Sequence, residues 1–252
     1  MEVIQNQYFE ANARGNLAVV KFKKDIFELV TNVDLSQKLI ESIRSTENDK
    51  NIKGLLLINE PLCFGEEVYE KFMKKIIAVT ADDEKGQLFT EFADKELRFR
   101  QLTVINRFIK FLANYPKISA IGAYDTVVTP FIGAFLVADL RFASPKATFS
   151  MAHKKYGLHP SGGLPYLLNN YLGHSGAMEI MLSDRLDAGQ AKALGLVSKI
   201  IPGDKFEEEC IRSMKEYLKV NYATLRLTKR LFNYIHKDLE EYFEFEASLT
   251  NL

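Results

Sequence analysis

The amino-acid sequence predicts an α/β core followed by a helical tail. Strand-like and helix-like segments alternate from Tyr8 to Ile201, the order of a sheet covered by helices. From Phe206 to Leu249 the apolar residues recur with the helical period. A chain of 252 residues, 47% of them apolar, can bury one large core with a helical appendage. The expected division is a core over 1–203 and a helical subdomain over 204–252.

The elements follow in order. Tyr8–Ala13 and Leu17–Phe22 pair as a hairpin across Arg14-Gly15-Asn16. Leu35–Arg44 is a helix capped by Asp34, with Leu35, Leu39, Ile40 and Ile43 on one face. Leu55–Ile58 is a continuous apolar run, as in a strand covered on both faces. Val68–Val79 and Leu97–Leu112 are amphipathic helices separated by an acidic loop, Thr80–Gly86. Ile118–Ala138 has the length of a bilayer span, but Asp125 and Pro130 interrupt its middle. It divides instead into a buried strand (Ile118–Ala123), a turn (Tyr124–Pro130) and a buried helix (Phe131–Leu136). Between Gly173 and Pro202, Ser175 can cap a short helix, Asp184-Arg185 make a polar turn, and Asp187 caps a helix that stops at Gly195. Leu196–Ile201 closes the core as a strand or loop, and Phe206–Leu218, Ala223–Lys237 and Leu239–Leu249 are helices.

Charge and cysteine usage exclude several classes. Lys+Arg and Asp+Glu both number 33, so no whole-chain field draws nucleic acid or an anionic membrane. Cys63 and Cys210 lie far apart and in no metal spacing, as expected of a reduced, cytoplasmic chain. The first residues show no basic-then-apolar leader pattern. No Ser-His-Asp order, phosphate loop or metal cluster stands out.

Gly173–Pro202 (GHSGAMEIMLSDRLDAGQAKALGLVSKIIP) resembles the segment that follows the active site in the crotonase superfamily, the enoyl-CoA hydratases and isomerases. The resemblance extends to Ile52–Asn59 with Cys63-Phe64-Gly65, Asn114–Ala123, the corner Ala138–Ser144, the loop Gly157–Gly163 and Leu225–Asn233. It implies a spiral of repeated ββα turns with a helical C-terminal trimerisation subdomain, assembled as a homotrimer or hexamer. It also implies an acyl-CoA or acyl-carrier thioester as substrate, with no resident cofactor and no metal.

In that family two backbone N–H groups form an oxyanion hole for the thioester oxygen, and one such donor is worth about 3 kcal/mol. Carried onto this chain, the first donor is Glu66. The second loop falls on Thr129, Pro130 and Phe131, and its middle residue, the usual donor, is a proline without an N–H. Phe131 N–H or the Thr129 hydroxyl would have to substitute. The paired hydratase carboxylates fall on Gly133 and His153, so hydration by paired glutamates is not expected. His153 is either a general acid or base or an ordinary hydrogen-bonded histidine. Glu66 and Glu67 either replace the missing carboxylate or serve as charges at a helix N-terminus. His159 and Asp125 are weaker candidates, Asp125 chiefly as a turn-former. Ala81–Lys95 reads as an insertion at the mouth of the site, and Lys229 as a CoA phosphate contact or a plain helix lysine. Two readings follow. One is an enzyme of lyase or isomerase type (decarboxylation, double-bond migration or hydrolysis of a thioester), and the other is a non-catalytic subunit or thioester-binding partner.

Overall fold

A computed structural model describes residues 3–24, 26–82, 88–202 and 204–249. Three antiparallel strands open the chain: β1 (Ile4–Gln5), β2 (Phe9–Arg14) and β3 (Leu17–Phe22), with the β2–β3 turn at Gly15, φ +70°. The helices α1 (Ile26–Thr31) and α2 (Val33–Arg44) lead to β4 (Gly54–Asn59), and α3 (Glu66–Ile76) follows. A hairpin, β5 (Ile77–Asp82) and β6 (Leu88–Phe92), precedes the long helix α4 (Lys95–Ala113). Next come β7 (Ile118–Ala123), β8 (Val127–Val128), α5 (Phe131–Leu136), β9 (Leu140–Ala143), β10 (Thr148–Ser150) and a 3₁₀ turn at Ala152–Tyr156. The chain continues through α6 (Leu164–Leu182), β11 (Arg185–Asp187), α7 (Ala188–Ala193) and β12 (Lys199–Ile200). It ends in α8 (Phe206–Tyr217), α9 (Tyr222–Asn233) and α10 (Leu239–Leu249).

The main sheet has the order β1-β2-β3-β4-β7-β9-β12, parallel from β3 onward, and a second sheet runs β11-β10-β8. Two turns of strand, strand and helix thus wind beside each other, the predicted spiral. Alternate residues of the central strands serve two cores. Ala18, Val20, Leu55, Leu57 and Ile121 pack under the helices that carry the candidate site. Leu17, Val19, Leu56, Ile58 and Phe142 pack against Phe206, Cys210 and Met214 of α8. α8, which follows position 204, covers one face of the sheet.

Several local expectations shift. Asn32, not Asp34, caps α2, its side chain accepting from Leu35 N–H. The helix predicted to reach Val79 stops at Ile76, where the chain turns into β5; the predicted loop Thr80–Gly86 is β-strand as far as Asp82, and its remainder lies outside the described residues. Gly173, at φ +70°, breaks α6 where a separate cap at Ser175 was expected. Asp184-Arg185 leads into β11 rather than a free turn. Asp187 caps α7 as predicted, in a reciprocal box with Gln190. Among the described residues no helix is long and apolar enough to cross a membrane.

Candidate functional site

Two loops converge above α3 and α5. The first, residues 61–65 between β4 and α3, is stitched to the turn after β7. Asp125 Oδ2 accepts from Leu62 N–H, and Val128 N–H donates to Phe64 O at 3.0 Å. Asp125 thus serves the turn, and its burial raises its pKa. In the second loop, Thr129 N–H donates to Ser150 O at 3.1 Å, and its hydroxyl lies between Ser150 O (3.2 Å) and His153 Nδ1 (3.1 Å). The Thr129 hydroxyl is thereby unavailable as the substitute oxyanion donor considered above. Glu66 and Phe131 open α3 and α5, where the first N–H groups have no intrahelical acceptor. The space beside them is aromatic. Phe64 and Phe131 lie 4.8 Å apart between ring centroids, and Phe27 meets Phe131 at 5.2 Å. An apolar cavity of about 50 Å³ continues inward between these rings and Leu29, Leu39 and Ile105.

Gly133 admits no side chain. A Cβ built there would stand 1.8 Å from Gly162 O, and a Cβ on Gly162 would stand 2.5 Å from Pro130 O. The loop before α6 and the start of α5 therefore touch backbone to backbone. Gly133, where the resemblance would place the first carboxylate, is thus closed by this contact.

His153 is 4% exposed on the 3₁₀ turn, its Nδ1 3.1 Å from Thr129 Oγ1. Burial lowers its pKa to about 4, so the ring is neutral at physiological pH. With the Thr129 proton on Ser150 O, His153 Nδ1 donates to Thr129 and its basic lone pair lies on Nε2. Glu66, half-buried, is not a free base. Its carboxylate takes the Lys155 ammonium and the Ser150 hydroxyl (2.7 Å), with Arg185 at 3.8 Å. Lys155 first and Ser150 next hold its pKa below the usual range. Glu67 is exposed in the first turn of α3, where a carboxylate favours the helix N-terminus.

Lys229 does not match the expected phosphate contact. It is 5% exposed, and its ammonium lies 2.8 Å from both carboxylate oxygens of Asp139. Asp139 Oδ2 also accepts the N–H and hydroxyl of Ser119, so α9 is anchored to β7 through this pair. A cavity of about 360 Å³ lies beside it, lined by Asp139, Arg141, Tyr171, Lys229, Phe232 and His236. The described part of the predicted insertion Ala81–Lys95 comprises the end of β5, β6 and the start of α4; Thr90 on β6 donates to Tyr156 O, beside the turn that carries His153.

The sequence reading missed a second buried polar group. Arg98 and Gln101 face inward from α4, and Glu246 reaches in from α10. Glu246 accepts from Gly162 N–H (3.0 Å), Gly163 N–H (2.9 Å) and Asn106 Nδ2 (3.3 Å), closing α10 over the Gly157–Gly163 loop. A signal was present: Arg98 and Gln101 stand one turn before Leu102 and Ile105, on the helix stripe that should be wholly apolar.

With this geometry in hand, known proteins give the class. A family model described as Enoyl-CoA hydratase/isomerase matches residues 128–251. The human enoyl-CoA delta isomerase 2 is 24% identical over 87% of this chain and 65% of that protein. The peroxisomal enoyl-CoA delta isomerase 3 of Mus musculus is 26% identical over 51% of this chain and 41% of that protein. A solved enoyl-CoA hydratase/isomerase from Cupriavidus metallidurans superposes with a TM-score of 0.71 at 23% identity, covering 97% of this chain and 88% of the other. An enoyl-CoA hydratase from Polaromonas sp. gives 0.73 at 19%, covering 97% and 91%. Residues 128–251 thus resemble the enoyl-CoA hydratases and isomerases in sequence, and the chain as a whole shares their fold.

Proposed function

We propose that this protein binds an acyl thioester, of CoA or a carrier protein, between the Glu66 and Phe131 N–H groups, and that its chemistry is a one-base step of lyase or isomerase type. The observation that carries this reading is Gly133. Its contact with Gly162 O, at 1.8 Å from a built Cβ, leaves no room for the carboxylate that paired hydration needs. One proton-transfer group remains close to the second loop, the neutral His153, whose Nε2 can take a proton while Thr129 orients the ring. The rings of Phe64 and Phe131 exclude water from the space beside the N–H pair, which strengthens any charge stabilisation there.

The test pairs titration with acetyl-CoA and a crotonyl-CoA hydration assay. The expected result is measurable binding with hydration slower than an ordinary hydratase by at least about 10²-fold, the usual cost of one missing proton-transfer partner. Hydration within tenfold of such an enzyme would overturn the reading. A second reading, a non-catalytic thioester-binding subunit, is favoured by the Phe64–Phe131 contact and by Glu66 being held by Lys155. Binding without turnover of any thioester would select it.

The same reading includes a homotrimer or a dimer of trimers. Leu231, Phe232, Tyr234 and Ile235 of the α9 region and Phe245 of α10 are each more than half exposed, too apolar a surface for an isolated chain. A monomer in light scattering at micromolar concentration would exclude it.

A further inference from the structure

The inward face of α4 carries a positive charge that no carboxylate among the described residues pairs. Arg98 is 3% exposed, and Gln101, one helical turn on, is fully buried. Arg98 Nη1 donates to Gln101 Oε1 at 2.6 Å, while Arg98 Nε and Gln101 Nε2 have no acceptor. Arg98 makes no ion pair among the described residues. Glu246 is the carboxylate whose charge reaches it, and the Glu246 oxygens are already committed to Gly162, Gly163 and Asn106. The Phe92 ring lies 5.9 Å from the guanidinium, a weak partner beside a carboxylate. Close by, His159 Nδ1 donates to Pro160 O at 2.8 Å, which leaves its buried Nε2 a bare acceptor. Phe92 belongs to β6, whose Thr90 donates to Tyr156 O at the end of the 3₁₀ turn that carries His153, so Arg98 lies on the same side of the molecule as the histidine that touches the second loop.

A guanidinium taken out of water with only an amide for company is incomplete, because its donors lose hydration without full replacement. Gln101 Oε1 occupies the position of one carboxylate oxygen, and its own amide N–H groups are left idle by doing so. We propose that Arg98 and Gln101 form a subsite for a carboxylate at the far end of the acyl group, which makes the substrate class a thioester of a dicarboxylic acid. This rests on the thioester reading given above. When the carboxylate enters, Gln101 swings on its own torsions and frees Nη1. Nε and Nη2, whose N–H bonds point the same way, offer the planar fork that carboxylates accept, and Gln101 Nε2 supplies a further donor. An acyl chain ending in a methyl group leaves those donors unpaired, and polar pockets reject such analogues strongly.

Succinyl-CoA and butyryl-CoA, four-carbon chains that differ in the end group, are titrated by calorimetry with free CoA as reference. The proteins are the unaltered chain, Arg98→Met and Gln101→Glu. The unaltered chain binds succinyl-CoA at least about tenfold more tightly, as a charge-assisted bidentate contact requires. Arg98→Met binds the two equally and keeps its butyryl-CoA affinity within about twofold. Gln101→Glu places a resident carboxylate on the guanidinium, so it loses the preference and melts at a higher temperature. Equal affinities in the unaltered chain, or a preference that survives Gln101→Glu, would overturn the subsite while butyryl-CoA binding leaves the thioester reading standing. Binding of neither thioester nor CoA removes both.

Discussion

Arg141 and Arg98 are both buried, at 6% and 3% exposed, and the chain treats them in opposite ways. Arg141 donates from Nε to Leu196 O at 2.7 Å, from Nη1 to Ala138 O at 2.8 Å and Tyr171 Oη at 2.7 Å, and from Nη2 to Gly195 O at 3.2 Å. The Tyr171 ring lies 4.4 Å from its Cζ. That guanidinium ties the end of α5, the start of β9 and the stop of α7 into one corner. Arg98 has one amide for a partner and an idle Nε. Lys117 behaves like Arg141, its ammonium shared among Thr46 O (2.5 Å), Asp49 O (2.8 Å) and Ile52 O (2.6 Å). Arg141 and Lys117, which hold the architecture, are saturated mainly by carbonyls, while Arg98 is not. A buried polar network left partly satisfied is costly, and the cost points to a role beyond folding.

The comparison breaks most readily at Arg141. Arg141→Met strands Leu196, Ala138 and Gly195 carbonyls in the interior and should cost about 3–5 kcal/mol in denaturant melts. A loss under about 1 kcal/mol would mean that saturation does not mark a structural cation.

His153 gives an intermediate effect with a definite sign. Its folded pKa, about 4, lies below the ordinary 6.5, so the unfolded chain binds the proton more readily between those values. Its contribution is complete above pH 6.5 and is lost as pH falls towards 4, by about 1–3 kcal/mol. His159 and His236 are lowered by burial in the same direction, so His153→Gln should flatten this acid slope without abolishing it. Identical slopes in urea melts at pH 7 and pH 4 would show that His153 is hydrated or paired in solution.

The smallest effect belongs to Arg98. Arg98→Met removes a cation with an idle donor and should move stability by no more than about 1 kcal/mol in either direction. A loss comparable with that of Arg141→Met would erase the distinction between the two arginines.

Much of the fold was legible along the chain. The apolar run Leu55–Ile58 announced a strand covered on both faces, and β4 is buried along its whole length. Asp187 and Gly195 bracketed α7, because a cap and a left-handed stop are local requirements on single residues. The hairpin β5–β6 was not legible. Its first strand continues the pattern of α3, and only pairing with β6 selects the extended conformation. Glu66 and Lys229 could be named as candidates from their positions, yet their partners lie 89 and 90 residues away, at Lys155 and Asp139.

By itself the sequence determined the order of elements and that Pro130, in the second loop, carries no N–H. Each follows from the covalent character of one residue or from a short period in the chain. The tertiary structure alone decided that Gly133 touches Gly162 O, that Lys229 is spent on Asp139, and that Arg98 is buried with no carboxylate partner among the described residues. Those facts depend on distances between residues remote in sequence, and burial sets the energy of a charge only once packing has fixed which groups surround it.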